Sequence, residues 1–358
     1  MNEQATLAQP ARAAGATISL DEILGGRAAE TESAAPTQTF LPSQEAIERE
    51  ISAVLQLELS DALGDWVQGY SRVGHRNAFL WKWCRRGVGV TTLSCVEDDL
   101  RNTVCDTKVL GVVLDVLLDD VADNQQDVAL LEAILNGMEG RSDPIDPPLS
   151  TAESAYARFT IDVWNEIQRR VRTFPRYGEF SEVLRFDYQQ LFNVMRYSRL
   201  VNKFPEMLNL AEHDLYLPHN MHMMISSTMD CMCSGGFDRS ELGILREAVW
   251  RAQCMGRVGN LVTTWQREIS EGDFTSAVFA RALLCRDLSL DDLRSDNRSR
   301  IEEVIVGRRH EEFFLNRWQT YRQEILTLQA RCRSVNLGGL IAGLERLICL
   351  HLGSRGKK

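Results

Sequence analysis

From Ser43 onward, apolar side chains recur every three or four positions, the period of an amphipathic helix. Ile47, Ile51, Val54, Leu55 and Leu59 form the first stripe, and Ser43 just ahead of them predicts an N-cap. A second helix is expected within Trp66 to Arg86, with Phe79 and Trp83 on one face and Trp81 on another. A third runs from about Val96 to Val121. Val104, Leu110, Val113, Leu114, Leu117 and Leu118 crowd it so densely that it should be buried on most sides. Three prolines between Ser142 and Pro148 predict a loop, since proline breaks a helix interior. Long helices are expected from near Thr151 to just before Pro175 and from Glu182 to Arg199. Pro205 and Pro218 break the next region and Ser234-Gly-Gly236 stops or kinks it. Ser240 is then expected to cap a helix reaching about Ser270. Two or three more helices, over Arg300 to Arg333 and Leu337 to Leu352, complete the pattern. No run alternates polar and apolar residues as a half-buried strand does, so the expected fold is an all-α, single-domain helical bundle.

The first residues depart from this pattern. Met1 to about Leu41 are rich in Ala, Thr, Glu, Gln and Gly and hold too few large apolar side chains to offset chain entropy. Residues 1–42 are therefore expected as a disordered tail, with Ile18 to Leu24 able to fold transiently or on a partner. Residues 43–358 form the folded domain. The 358 residues carry a formal charge of -10, which argues against nucleic acid as the main partner. It leaves room for an anionic ligand, because divalent ions invert the local field. Every apolar run is interrupted well before the roughly 18 residues that a membrane span needs. No basic-then-apolar leader opens the chain, so a cytoplasmic protein is expected. Nine cysteines without a CxxC pair read as reduced, small core residues. Cys231-Met-Cys233, with His219 and His222 upstream, lacks the spacing of a zinc knuckle.

Candidate chemistry lies in two places. Asp119-Asp120-Val-Ala-Asp123 closes the third helix; Asp119 and Asp123 share a face that Asp115 extends, and Asp120 lies about 100° to the side. Like charges at the C-terminal end of an apolar helix repel one another and oppose the helix dipole unless cations occupy them. Mg2+ prefers such carboxylates together with water and phosphate oxygens. A solvated helix end would account for the same string. Two other acidic runs, Glu97-Asp98-Asp99 and Asp291-Asp292-x3-Asp296, read as the acidic first turns of helices. Farther on, Asn260, Thr264 and Glu268 recur every four residues, one stripe of oxygen donors about 6 Å apart in rise. That stripe can wrap a Mg2+ ion and present it to a diphosphate, although a solvated polar face also produces it.

Together, Asp119-Asp120-x2-Asp123 and Asn260-x3-Thr264-x3-Glu268 resemble the two metal-binding motifs of class I terpene synthases. The resemblance covers roughly residues 45 to 350. The flanking Glu271-Gly-Asp273-Phe-Thr-Ser segment looks most like bacterial diterpene cyclases. The resemblance implies a bundle around a central apolar cavity. It also implies Mg2+, three ions with diphosphate bound, held by Asp119, Asp120, Asp123, Asn260, Thr264 and Glu268. Arg267 would donate to the diphosphate. Phe79, Trp81, Trp83, Phe192, Met195 and Trp265 would wall the cavity, where an aromatic face stabilises a cation by about 0.5–2 kcal/mol. Met221, Met223 and Met224 form a soft surface that belongs more often to the core than to the pocket.

Two departures stand out. The family's diphosphate-sensing arginine precedes a helix break, here near Pro218 or Gly235-Gly236, but residues 204 to 238 hold no arginine. The nearest upstream cations are Arg196, Arg199 and Lys203. The family's late Arg-Tyr pair occurs only in reverse, as Tyr321-Arg322, with Arg317 and Arg308-Arg309 nearby. The implied reaction is ionisation of geranylgeranyl diphosphate to a cyclic diterpene, with release of diphosphate. Released diphosphate can serve as the final base, which leaves His219 and His222 structural. The alternatives are a sesquiterpene cyclase acting on farnesyl diphosphate, a chain-elongating prenyl diphosphate synthase, or a non-catalytic helical scaffold. Elongating enzymes carry two aspartate-rich motifs, so the Asn260 stripe speaks against them. Family members often pair, which places a homodimer among the expected assemblies.

Overall fold

Ser43 stands where a cap is expected: its hydroxyl accepts the Ala46 amide at 3.2 Å, and α1 follows as Gln44–Gln56. The computed structural model describes residues 42–125, 127–141, 148–295 and 297–357. The expected tail up to residue 41 and residues 142–147 of the expected proline loop lie outside the described residues, as does Asp296. The described residues belong to one unit, Thr39–Lys358. Among them are fifteen α-helices and no strand, so the fold is all-α.

The helix expected within Trp66 to Arg86 is in fact two, α2 (Asp61–Tyr70) and α3 (Ala78–Thr91). Asn77 caps the second by accepting the Leu80 amide at 3.3 Å, a side-chain signal that apolar spacing alone does not carry. Next come α4 (Asp98–Asp119), a π-helical turn (Asp120–Gln125), α5 (Val128–Met138) capped by Asp127, and α6 (Thr151–Val171) behind a Ser150–Glu153 capping box. α7 (Tyr177–Lys203) and α8 (Leu210–Tyr216) lead through a 3-10 turn, Leu217–Met221, into α9 (Met223–Met232). His222 breaks the chain between turn and helix with a left-handed φ of 59°.

α10 (Leu242–Glu271) is entered through a short turn in which Asp238 accepts the Ser240 amide at 2.9 Å, so Ser240 is capped rather than capping. α11 (Ala277–Leu284), α12 (Leu290–Arg294), α13 (Arg298–Gly307), α14 (His310–Leu328) and α15 (Leu337–Gly353) complete the chain. The Arg300 to Arg333 stretch holds two helices, divided where Arg309 adopts φ 57°.

α4 is buried along most of its length, as its apolar composition requires, and packs on α3 and α6. Each fully buried Val or Leu contributes about 1.5–3 kcal/mol. α10 packs on α14, α15 and α9, and α7 packs on α9. Glu50 of α1 is buried and ties three helices together through Arg86 of α3 at 2.9 Å and Arg346 of α15 at 2.8 Å. Both decoy acidic runs are helix starts: Asp98 and Asp99 open α4, and Ser289 with Asp292 forms a capping box on α12. All nine cysteines are free; seven are buried and Cys95 half-buried, but Cys285 is exposed, contrary to its apolar neighbours in sequence. No helix among the described residues is long and apolar enough to cross a membrane.

Candidate active site

α4 and α10 bound a cavity of about 240 Å³, and both sequence motifs open into it. Asp115, Asp119 and Asp123 line it from α4 and its π-helical extension, and Asn260, Thr264, Arg267 and Glu268 from α10. The spacing explains the shared face: residues three or four apart on a helix point the same way. Asp120, one step on, turns out of the cavity. It pairs with Arg76 at 2.7 Å and accepts from the Tyr70 hydroxyl at 3.3 Å. Its expected place among the metal ligands is therefore corrected: Asp120 orients Arg76, which itself lines the cavity.

The acidic end is crowded. Asp119 Oδ1 accepts from Asn220 at 2.8 Å, and Asp123 Oδ1 from Asn202 at 3.3 Å. Asn202 in turn accepts the Phe274 amide at 2.8 Å, locking α7 to the segment after α10. Gly272 takes φ 75°, the left-handed conformation glycine alone adopts without strain, and turns the chain so that the Asp273 amide bonds back to the Glu268 carbonyl at 3.0 Å. Asp273 thereby joins the cavity wall. On α10, Thr264 Oγ1 lies 2.5 Å from Glu268 Oε1, and Arg257 Nη1 donates to Asn260 Oδ1 at 3.1 Å. Burial raises the carboxyls of Asp123, Asp273 and Glu268 above the usual range, and the charge of Asp273 adds to the shift at the other two. Burial, then the charge of Asp119, does the same to Asp115. Asp115 Oδ1 and Glu268 Oε2 are buried without a hydrogen-bond partner.

The opposite end holds a different charge set. Lys108 of α4 and Asp230 of α9 form an ion pair with both side chains 1% exposed. Lys108 also donates to Thr92 Oγ1 at 3.1 Å, and Asp230 Oδ2 accepts the Leu93 amide at 3.1 Å. Lys108 precedes Asp119 by eleven residues, about 16 Å along the helix axis. Between the two ends the wall combines Leu80, Val88, Val112, Val116 and Val249 with Met221, Met223, His222, His351, Ser226 and Ser227.

Of the expected aromatic wall, Trp83 lines the cavity, its indole donating to the Leu350 carbonyl at 3.0 Å. Phe79, Trp81, Phe192, Met195 and Trp265 do not, which corrects the expectation for five residues. Trp81 is buried edge-on against Tyr70, and Phe192 against Trp164 between α6 and α7. Trp265 sits on the side of α10 that faces α14, where it donates to Glu311 at 2.5 Å. The same arrangement removes the late pair. Tyr321 and Arg322 lie on α14, behind α10; Tyr321 accepts from Arg317, and Arg322 pairs with Glu345 at 2.8 Å. Arg317 is engaged by Asp214, Arg308 by Asp287 and Arg309 by Glu312.

Sequence reasoning missed Arg257, Asp273, Arg76 and Asn220. Arg257 had a signal: it precedes Asn260 by three residues and so shares its face. Asp273 lay in the flanking segment that carried the finer resemblance. Arg76 sits in the loop between α2 and α3 and Asn220 in the 3-10 turn, and no periodicity marks them.

No family model matches the chain, and no curated protein matches it in sequence.

Proposed function

We propose that the chain is a Mg2+-dependent terpene cyclase that ionises an acyclic isoprenoid diphosphate, geranylgeranyl diphosphate first among them. The observation that carries this reading is the convergence of Asp119 and Asp123 with Asn260, Thr264 and Glu268 on one cavity, whose remaining wall mixes aliphatic, methionine, aromatic and hydroxyl side chains.

The donor set fits magnesium. Seven carboxylates line the cavity against three guanidiniums, Arg76, Arg257 and Arg267; with Asp230 already paired to Lys108, six remain. No three cavity carboxylates among the described residues bring oxygens within 4.8 Å of one another. A dedicated protein cage is therefore absent there, and Mg2+ does not ask for one, since it typically takes one or two carboxylates with water and substrate phosphate. Asp119 and Asp123 would hold metal from one wall, and Asn260, Thr264 and Glu268 from the other. When bound, the metal supplies Lewis-acid neutralisation of the departing diphosphate. Arg257 steadies the Asn260 amide, while Arg76, fixed by Asp120, and Arg267 offer guanidinium donors to phosphate oxygens. The apolar part of the wall keeps water from the allylic cation, and Trp83 gives it one aromatic face. Asp292, spent on the α12 cap, supplies no second aspartate-rich metal site, which favours cyclisation over chain elongation. A cytoplasmic setting and a homodimer accompany this reading.

The test is gas chromatography of extracts after incubation with C10, C15 and C20 diphosphates, with and without Mg2+, beside thermal unfolding with Mg2+ and inorganic diphosphate. A cyclic product lost in Asp119→Ala and Asn260→Ala is expected. So is a joint stabilisation of about 2.7 kcal/mol at a ligand concentration near one hundred times its Kd. Elongated diphosphates as products, or neither turnover nor stabilisation, reject the assignment.

A further inference from the structure

Cys285, the exposed cysteine, belongs to a cluster away from the cavity. Its Sγ, a carboxylate oxygen of Asp287 and a ring nitrogen of His310 all lie within 4.8 Å of one another, the sole such trio of His, Cys, Asp or Glu among the described residues. Two backbone features bring them together. The Cys285 amide bonds to the Arg281 carbonyl and the Asp287 amide to Ala282, both at 2.9 Å, with Arg286 between them at φ 59°. Arg309, at φ 57°, then delivers His310 as the first residue of α14.

His310 is 2% exposed, yet neither ring nitrogen makes a hydrogen bond of proper geometry. Its Nε2 faces Asp287 Oδ2 at 3.2 Å, while the other Asp287 oxygen pairs with Arg308 at 3.3 Å. The distances suit a small, borderline-soft cation. Zinc bonds of about 2.0–2.1 Å at the tetrahedral angle set nitrogen and oxygen roughly 3.3 Å apart, and Zn–S bonds of about 2.3 Å set sulfur roughly 3.6 Å from nitrogen. The Nε2–Oδ2 edge already has that length. The Cys285 sulfur lies within 4.8 Å of both.

We propose that Cys285, Asp287 and His310 form a three-ligand site for a divalent cation of the zinc type, with water in the fourth position. A thiolate and a carboxylate match the two positive charges. Arg308, 69% exposed, keeps its own oxygen on Asp287 or swings into solvent, and Arg281 is stacked on Phe313 at 3.6 Å. His310 Nδ1 lacks the outer acceptor that ordinarily strengthens a zinc-bound imidazole, so the site loads reversibly. Occupancy would pin the C-terminal end of α11 to the start of α14. The residues just before α11, Asp273 and Thr275, line the cavity, so the site braces a wall of it from outside.

The full-length protein, stripped with chelator and kept in excess Mg2+ so that hard carboxylate sites are filled, is titrated with Zn2+ while alkylation of Cys285 is followed by peptide mass. Co2+ serves as an absorbance probe of thiolate ligation. Free Zn2+ at about ten times its Kd should slow alkylation about tenfold, and Co2+ should give a thiolate charge-transfer band that is absent in Cys285→Ser. Cys285→Ser is a surface change that leaves the fold intact, so the lost band has no folding explanation. Unchanged alkylation, a Co2+ spectrum lacking that band, or full protection surviving in both Asp287→Asn and His310→Gln would each overturn the proposal. None of these readouts depends on turnover, so failure here leaves the cyclase reading untouched.

Discussion

Lys108 and Asp230 are each 1% exposed and lie against one another, with Thr92 and the Leu93 amide taking up their remaining hydrogen bonds. Asp123, Asp273 and Glu268 are buried almost as deeply at the other end of the cavity, but chiefly against carboxylates. The first arrangement is electrically closed. The second is open: the cavity's carboxylates outnumber its guanidiniums, and Glu268 Oε2 has no donor. A buried pair costs desolvation and returns little net stability, but it completes itself. A buried cluster of like charges persists only where cations arrive from outside or protons stay bound. On the proposed reading, one end of the cavity is structural and the other holds the ligand.

The largest effect that would break this contrast is on stability. Lys108→Met leaves Asp230 buried without its cation and should cost about 3–5 kcal/mol in urea unfolding at neutral pH. The loss should shrink in acid as Asp230 takes up a proton. Asp119→Asn, in metal-free protein, removes repulsion instead and should change stability by less than about 1 kcal/mol, in either direction. Equal losses from both substitutions would erase the distinction between the two ends.

The second effect concerns pH. Burial and the neighbouring Asp273 raise the Glu268 pKa from 4.5 to about 7. A carboxyl with a raised folded-state pKa binds its proton more tightly folded than unfolded. Its contribution is complete below 4.5 and is lost as the pH rises through about 7. Metal-free protein should therefore lose melting temperature across that window, and Glu268→Gln should flatten the decline. Mg2+ with inorganic diphosphate should restore the loss at the upper end, where the carboxylates are free of protons. A melting temperature that climbs steadily over this range without metal would contradict an open acidic cluster.

What could be read in the sequence divides along similar lines. Helix periodicity located α4 and α10, and with them the faces that carry Asp119, Asp123, Asn260, Thr264 and Glu268, because face-sharing follows from 3.6 residues per turn. The same arithmetic set Asp120 aside by one step, but it could not reveal that Arg76 waits there, since Arg76 lies in the loop between α2 and α3. Aromatic residues were less legible. A tryptophan on an amphipathic helix must be buried, yet whether it meets a cavity or another helix depends on which neighbour packs there. Trp83 meets the cavity, whereas Trp265 meets α14. The Tyr321-Arg322 expectation failed for that reason too: α14 packs on the back of α10. The cluster at Cys285 was hidden because its ligands lie on both sides of two left-handed residues, Arg286 and Arg309, which no apolar pattern encodes.

The smallest expected effect sharpens the contrast in the middle of the cavity. Gly111 of α4 lies under the His222 ring; a Cβ there would stand 2.3 Å from Cε1. His222 is 2% exposed and lines the cavity, so its ring moves only at the expense of that wall. Gly111→Ala must therefore push the imidazole, at a cost of about 1–3 kcal/mol for an overpacked site. Gly111 is eight residues, about 12 Å of helix, from Asp119, so the stabilisation by Mg2+ and diphosphate should not change. What should change is the shape presented to a folded hydrocarbon chain, read as an altered ratio of cyclic products at nearly unaltered substrate consumption. If the variant instead lost the metal and diphosphate response while its products kept their ratio, the middle of the cavity and its acidic end would form one coupled unit. The division of labour between charge and shape would then fall.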